Sequence, residues 1–316
     1  MTPVRIATRG SDLALAQTRH MADRVARALD VRTELVIVQT SGDRLRDVPL
    51  SAIGGKGLFV KEIEEALLGG HADMAVHSAK DLPARTPDGL ALAAFPERED
   101  ARDALVGREQ GARLDGLAEG ARVGTGSARR GALVRAARPD LTVVPLRGNV
   151  PTRLQKIEDE GLDAVILACA GLDRLGLSGR IHERIDPGRM LPAVGQGTLA
   201  LETRADDPLR ERLASQLDDA DAARAAAAER AFLERLEGDC NIPLAAHAER
   251  AARGGWRIRG LVSTPDGARV VRDEEEVAGD PDASVLATAG ARLADRVLAA
   301  GGRAILDALR AEGDGP

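Results

Sequence analysis

The sequence predicts an α/β protein of two lobes with mostly parallel sheets, followed by a smaller α+β unit. Three observations carry this. Apolar strand-like runs alternate with helix-period segments through residues 4–81. A second alternation of the same kind begins after the charged break Pro96-Glu97-Arg98-Glu99-Asp100. The last third changes character: a long Ala-rich helical stretch, three strand-like runs, then two more helices.

In order, residues 4–8 form a short strand. Ser11 or Asp12 caps a helix that carries Leu13, Gln17, Met21, Val25 and Leu29 at helical spacing. Residues 34–39 form a second strand. The Gly- and charge-rich stretch 40–57 is too long for a simple turn and reads as a mobile, functional loop. Its Gly54-Gly55-Lys56-Gly57 is not a P-loop, because Leu50 stands where the first glycine belongs and no Ser or Thr follows Lys56. A helix over 58–68 ends at Gly69-Gly70, and a strand over 72–76 runs into His77-Ser78-Ala79-Lys80-Asp81. In the second alternation, strands are expected at 104–106, 122–124, 141–146 and 163–169, with helices at 127–137 and 150–160. Met190–Gly197 looks like a hinge, and a strand over 198–202 and a helix over 207–217 follow it. The Ala-rich helix covers 219–237, with Gly238 as its left-handed C-terminal residue. Strands near 245–249, 256–262 and 268–275 and helices near 283–299 and 302–311 close the chain.

Composition narrows the function. Aromatic residues are 1% of the chain, with no Tyr and one Trp, so base-stacking platforms are nearly absent. A net charge of −6 argues against a nucleic-acid partner. No apolar run approaches the ~18 residues of a membrane span, and the first residues lack the apolar core of a signal peptide. The expected compartment is the cytoplasm, with no membrane partner. Cys169 sits in the apolar run Ala164–Ala170 and reads as a structural core thiol, so Cys240 has no obvious disulfide partner.

In open α/β sheets, ligands bind beyond the carboxyl ends of strands. The residues there are Thr8, Arg9 and Ser11; His77, Ser78, Lys80 and Asp81; Thr125, Ser127, Arg129 and Arg130; Arg147, Gly148 and Asn149; Gly171 and Arg174. Gly124-Thr125-Gly126-Ser127-Ala128-Arg129 starts like a dinucleotide fingerprint but ends in Arg129, so that reading is poor. What remains is a helix N-terminus with a Ser cap and two arginines in its first turn, an anion site by dipole, hydrogen bonds and charge together. Arg5, Arg9, Arg147, Arg153 and Arg174 add to it if the sheets face one cleft, and guanidinium forks suit carboxylates. The inference is a two-lobed protein that binds a polyanionic small molecule. Asp81 is the odd acid in this surround. It is either a turn residue before Leu82-Pro83 or a carboxylate that bonds an N–H group, stabilises a developing cation or relays a proton. His77 is equally open between a structural role and a ligand contact. Cys240, on a tight loop between Asp239 and Asn241, is either an idle thiol or a reactive one.

Taken together, Arg5-Ile6-Ala7-Thr8-Arg9, Gly54–Glu62, Ala75–Asp81, Leu146–Val150, Leu191–Gly197 and the Cys240 loop closely resemble the porphobilinogen deaminase (hydroxymethylbilane synthase) family, in order and along essentially the whole chain. The resemblance implies a three-domain enzyme whose first two domains are periplasmic-binding-protein-like lobes: domain 1 from 1–96 and 198–217, domain 2 from 97–197, domain 3 from 218–316. It implies that four porphobilinogen molecules are joined head to tail, each losing ammonia, on a dipyrromethane cofactor held by a thioether at Cys240, and that water releases hydroxymethylbilane. By the same resemblance Asp81 is the catalytic acid. Lys80, Asp81, Ser127, Arg129, Arg130, Arg147 and Gly148 hold the cofactor, and Arg9, Ser11, Phe59, Ser78, Arg147, Arg153 and Arg174 hold substrate. Gly54–Phe59 belong to a loop covering the cleft. A monomer is implied, with uroporphyrinogen-III synthase as the downstream partner. Each pyrrole carries an acetate and a propionate, so a growing chain needs many local cations, which an acidic overall balance permits. Two positions depart from the family pattern. Asp239 stands where glycine is common before the cysteine, and a carboxylate there raises a thiol pKa and slows attachment. Gly126 stands where a serine is usual, so a backbone N–H replaces one hydroxyl. An anion receptor of the same two-lobed class is the competing reading; Cys240, Asp81 and the missing signal segment speak against it.

Overall fold

The computed structural model describes residues 2–40, 60–237 and 242–313. Three sheets organise the chain. The first takes β1 (Val4–Arg9), β2 (Thr33–Val38), β3 (Met74–Ser78), β4 (Leu90–Ala94) and, from much later in the chain, β10 (Leu199–Arg204), in the order β2-β1-β3-β10-β4. The second takes β5 (Asp103–Gly107), β6 (Arg122–Thr125), β7 (Thr142–Pro145), β8 (Ala164–Ala168) and β9 (Glu183–Ile185), in the order β7-β6-β8-β5-β9. The third is an antiparallel meander of β11 (Leu244–Arg250), β12 (Trp256–Ser263) and β13 (Val270–Val277).

The first two sheets share one plan. A parallel trio (β2-β1-β3; β7-β6-β8) is extended by an antiparallel strand and then an edge strand. The parallel trios are the expected βαβ units. The antiparallel additions depart from the expected alternation, and the reason is the route of the chain. β5 and β10 are the strands reached by the two crossings between lobes, so each enters its sheet from the far end.

Local chemistry sets the helix starts. Ser11 caps α1 (Asp12–Leu29), its hydroxyl accepting from Ala14 N at 3.4 Å; Met21, Val25 and Leu29 face the sheet. α2 (Lys61–Leu68) covers the opposite face through Ile63 and Leu67. In the second lobe Ser127 caps α3 (Ala128–Ala137) and Asn149 caps α4 (Val150–Asp159), where Pro151 follows Val150. α6 (Leu209–Leu217) returns to the first lobe beside α1. α7 (Ala220–Leu236), α8 (Ala283–Val297) and α9 (Arg303–Gly313) belong to the third unit, whose core gathers Phe232, Trp256, Ile258, Leu286 and Leu293. Phe232 lies against β12 because Gly260 has no side chain: a Cβ there would stand 2.3 Å from the Phe232 ring.

Some expectations need correction. β4 and β9 have no counterpart in the sequence reading; Leu-Ala-Leu-Ala-Ala carries no β-branched residue and Glu183–Ile185 is only three residues long. Cys169 is not the end of a strand. It opens the short helix α5 (Cys169–Arg174), fully buried. Its core role stands, since burial, then Asp100, push its thiol up to about 12. At the end of α7 Glu237 is itself left-handed (φ 52°), and the expected left-handed Gly238 lies outside the described residues. Arg310 supports that end, donating to Leu236 O and pairing with Glu237 at 3.2 Å. Met190–Gly197 is a tightly packed joint: Met190, Leu191, Val194 and Gln196 are buried.

That joint runs beside the first crossing, with Glu99 N donating to Gly197 O at 3.2 Å. Glu229 of α7, itself inaccessible, holds both. It accepts from Arg98 Nη1 at 2.7 Å, Gly195 N at 2.6 Å and Ala248 N at 2.8 Å. Burial would raise its pKa, but Arg98 and then His247 outweigh burial and hold it down to about 2.

Candidate active site

The strand ends of the two lobes face one another. On the first lobe, β3 runs into a single 3₁₀ turn, Ala79–Asp81, that presents Lys80 and Asp81. The turn is held from three sides. Ser78 exchanges hydrogen bonds with Gln17 of α1 at 3.1 and 3.3 Å. Arg230 of α7 donates to the carbonyls of Pro83 and Ala84 just beyond it, at 3.1 and 2.9 Å. Gly195 packs on the turn itself; with φ +70° and a hypothetical Cβ 2.9 Å from the Ala79 backbone, only glycine fits. On the second lobe, β6 leads into Ser127, Arg129 and Arg130, and β7 into Leu146, Arg147, Gly148 and Arg153.

Electrostatic reach shows what the fold brings together. Lys80 feels Arg130, Asp81, Asp103 and Arg129; Arg153 feels Arg130, Arg147 and Asp81. Asp81 of one lobe therefore stands within reach of Arg153 of the other, and its neighbour Lys80 within reach of Arg130. Burial pushes Lys80 down to about 8, with Arg130 adding to the effect, and pushes Arg153 down to about 10, with Arg130 and Arg147 adding. The Arg153 Nε is buried and has no hydrogen-bond partner among the described residues. An uncompensated buried cation is costly, so this cluster is arranged for an anion.

The other site candidates divide. His77 is structural: its Nε2 lies 3.0 Å from the Glu202 carboxylate, both inaccessible. Arg5 turns away, paired with Asp73 at 2.7 Å at the opposite end of the sheet, because it stands near the start of β1. Arg174 donates to Glu99 and to Gly197 O, at 3.0 and 2.8 Å, and so meets the joint between lobes. Arg9 and Ser11 lie at the end of β1, where the Ser11 hydroxyl is the α1 cap. Gly148 adopts φ +111° beneath Thr152. Gly126 is fixed by contact: a Cβ there would stand 2.4 Å from Leu146 O, so a serine in its place would strike backbone. Phe59 and Cys240 lie outside the described residues.

Sequence reasoning missed Asp103. This fully buried carboxylate takes Arg129 at 2.6 and 3.2 Å and Arg130 at 2.8 Å. Two arginines in the first turn of α3 are tolerable because of it. The signal was an acid at the head of the apolar run Ala-Leu-Val. Gln196 was missed as well; it donates to Asp103 at 3.0 Å and accepts from Arg130 at 3.2 Å.

Two family models match the chain: "Porphobilinogen deaminase, dipyromethane cofactor binding domain" over residues 4–212, and "Porphobilinogen deaminase, C-terminal domain" over 223–299. The porphobilinogen deaminase of Syntrophus aciditrophicus is 48% identical, covering 97% of this chain and 98% of its own. That of Nitratidesulfovibrio vulgaris strain DP4 is 49% identical over 98% and 97%, and that of Bacillus velezensis 44% over 99% of each.

The chain belongs to the porphobilinogen deaminase family.

It is thus a transferase of tetrapyrrole biosynthesis that polymerises porphobilinogen with loss of ammonia, and its cofactor is dipyrromethane. The described residues fit that group. Its acetate and propionate arms need several cations in one place. Arg153 Nε and Arg129 Nε are buried without partners, and Arg147 makes no hydrogen bond or ion pair among the described residues. Among the described residues no helix is long and apolar enough to cross a membrane.

Proposed function

We propose that Asp81 is the catalytic acid of this porphobilinogen deaminase and that Cys240 carries the dipyrromethane by a thioether. The observation that carries the first assignment is the Ala79–Asp81 turn, which offers the Asp81 carboxylate beside Lys80 to the Arg130–Arg153 cluster. Support for the second is the family match together with the place of Cys240, four residues beyond the last residue of α7.

The bound dipyrromethane supplies a pyrrole α-carbon to which the substrate is joined. Lys80, Ser127, Arg129, Arg130, Arg147 and the Gly148 backbone hold its acidic arms. Arg9, Ser11, Ser78, Arg147, Arg153 and Arg174 serve the incoming porphobilinogen, together with Phe59. Asp81 directs a proton to the departing amine as the substrate C–N bond breaks, and its carboxylate then faces the positive charge left on the substrate. Each joining would release one ammonium and, from the pyrrole α-position, one proton, so ammonium would be the only nitrogen lost.

The division into 1–96 with 198–217, 97–197 and 218–316 follows the three sheets. The chain acts as a cytoplasmic monomer and passes its bilane to uroporphyrinogen-III synthase.

Intact-mass measurement of the native protein tests the tether: two pyrrole units above the sequence mass, mapping to Cys240, are expected. An active chain of unmodified mass would sink it. Asp81→Ala should keep the fold and lose turnover; near-normal bilane formation by that variant would remove Asp81 from the role.

A further inference from the structure

Asp103 touches no ligand position, yet it is the hub on which the second lobe's cations are built. It is inaccessible at the head of β5, and it is the carboxylate between Arg129 and Arg130, whose side chains are 4 and 7% exposed. Every further bond of these groups runs to a segment that joins the lobes or to the sheet floor. Arg129 Nη1 donates to Leu191 O at 2.7 Å and Arg130 Nη1 to Ile166 O at 3.3 Å. Gln196 Nε2 donates to Ala101 O at 2.6 Å as well as to Asp103. Ala101 lies on the first crossing, Leu191 and Gln196 on the second.

We propose that Asp103 is a positioning residue for the polymerisation: it fixes the two guanidiniums at the cleft and ties their placement to both crossings between the lobes. Three features distinguish this from an ordinary buried ion pair. Two cations share one anion, so the group keeps a net positive charge to offer to a ligand carboxylate. The Arg129 Nε is left without a partner among the described residues. The hub also reaches across to the catalytic turn. The charged groups acting on Lys80 are Arg130, Asp81, Asp103 and Arg129. Burial and Arg130, then Arg129, push its pKa down to about 8, and Asp81 and Asp103 oppose them. Neutralising Asp103 removes a negative charge that helps to keep Lys80 protonated, so Lys80 loses its proton at lower pH.

The test uses the full-length holoenzyme and compares Asp103→Asn, Asp103→Glu, Arg130→Gln and the double variant Asp103→Asn/Arg130→Gln. In Asp103→Asn, kcat/KM for porphobilinogen should fall on the order of tenfold to a hundredfold, as misplacement of binding groups does, chiefly through KM. The alkaline limb of its pH profile should move to lower pH, and Asp103→Glu should bring the limb back. A purely structural pair would lower the melting temperature and leave the KM and the limb of the folded enzyme unchanged, and that result overturns the proposal. If Asp103→Asn does not fold, the double variant has lost one charge of each sign and answers instead. Its alkaline limb should lie below that of Arg130→Gln; coincidence of the two limbs refutes the action of Asp103 on the site.

Discussion

Replacing Glu229 by alanine should be the most damaging single change outside the cleft, and its size can be worked from the bonds it removes. The carboxylate serves Arg98, Gly195 N and Ala248 N at 2.6–2.8 Å with no access to water. Breaking a buried ion pair from one side costs about 3–5 kcal/mol. Each stranded backbone N–H adds about 1–3 kcal/mol, less whatever water entering the cavity restores. The expected loss is about 4–7 kcal/mol at the junction of all three sheets, a fall in melting temperature of roughly 10–20 °C. The assay is thermal unfolding of Glu229→Ala beside Arg98→Leu and Arg98→Leu/Glu229→Leu. The double variant should recover part of the loss, because no charge is then left buried alone. A Glu229→Ala protein within about 1 kcal/mol of the parent would refute the view that this carboxylate binds the crossings to α7. The pH dependence has a definite sign. The folded pKa of about 2 lies below the ordinary 4.5, so the contribution is complete above about 4.5 and is lost as pH falls from there through about 2.

Three further outcomes follow from single contacts. Gly126→Ser should destabilise by about 1–3 kcal/mol through collision with Leu146 O, measured by denaturant unfolding; a neutral change would mean that the end of β7 yields freely. Cys169 should resist alkylation at pH 8 in the native protein, its thiol being buried and pushed up to about 12, and peptide mapping would find label there only after denaturation. Arg153→Gln should raise KM for porphobilinogen more than it lowers kcat, since its orphaned Nε is arranged to bind rather than to react; an unchanged KM would take Arg153 out of the binding set.

What the sequence made legible was local. The caps Ser11 and Ser127 each accept from a backbone N–H three residues ahead, so each was read from its own turn; Asn149 and Asp219 cap in the same way and were passed over. The strand-end positions were legible too, because βαβ alternation places them without knowledge of the partner strand. What was hidden depends on pairing across the chain. Arg129 and Arg130 read as open cations because Asp103 lies more than twenty residues away in sequence. Arg5 reads as a cleft cation because nothing nearby in sequence reveals Asp73 as its partner, and the bonds of Arg174 to Glu99 and the Gly197 carbonyl were hidden in the same way. The place of β10 was hidden from pattern reading too: Leu199–Arg204 looks like any buried strand, the family resemblance alone returned it to the first domain, and its register against β3 and β4 sets it within the first sheet.

That placement of β10 has a consequence during synthesis. β4 pairs with β10 alone and is parted from β3 by it, so the first sheet stays split after Ala94 has been made, until Arg204 has also been made. Those 110 residues (94 to 204) take about 5–20 s at ordinary translation rates. The second sheet, contiguous from Asp103 to Ile185, is complete before then. The lobe that begins the chain is therefore the later of the two to close, and the nascent protein carries an open edge on β3 while its neighbour is already folded.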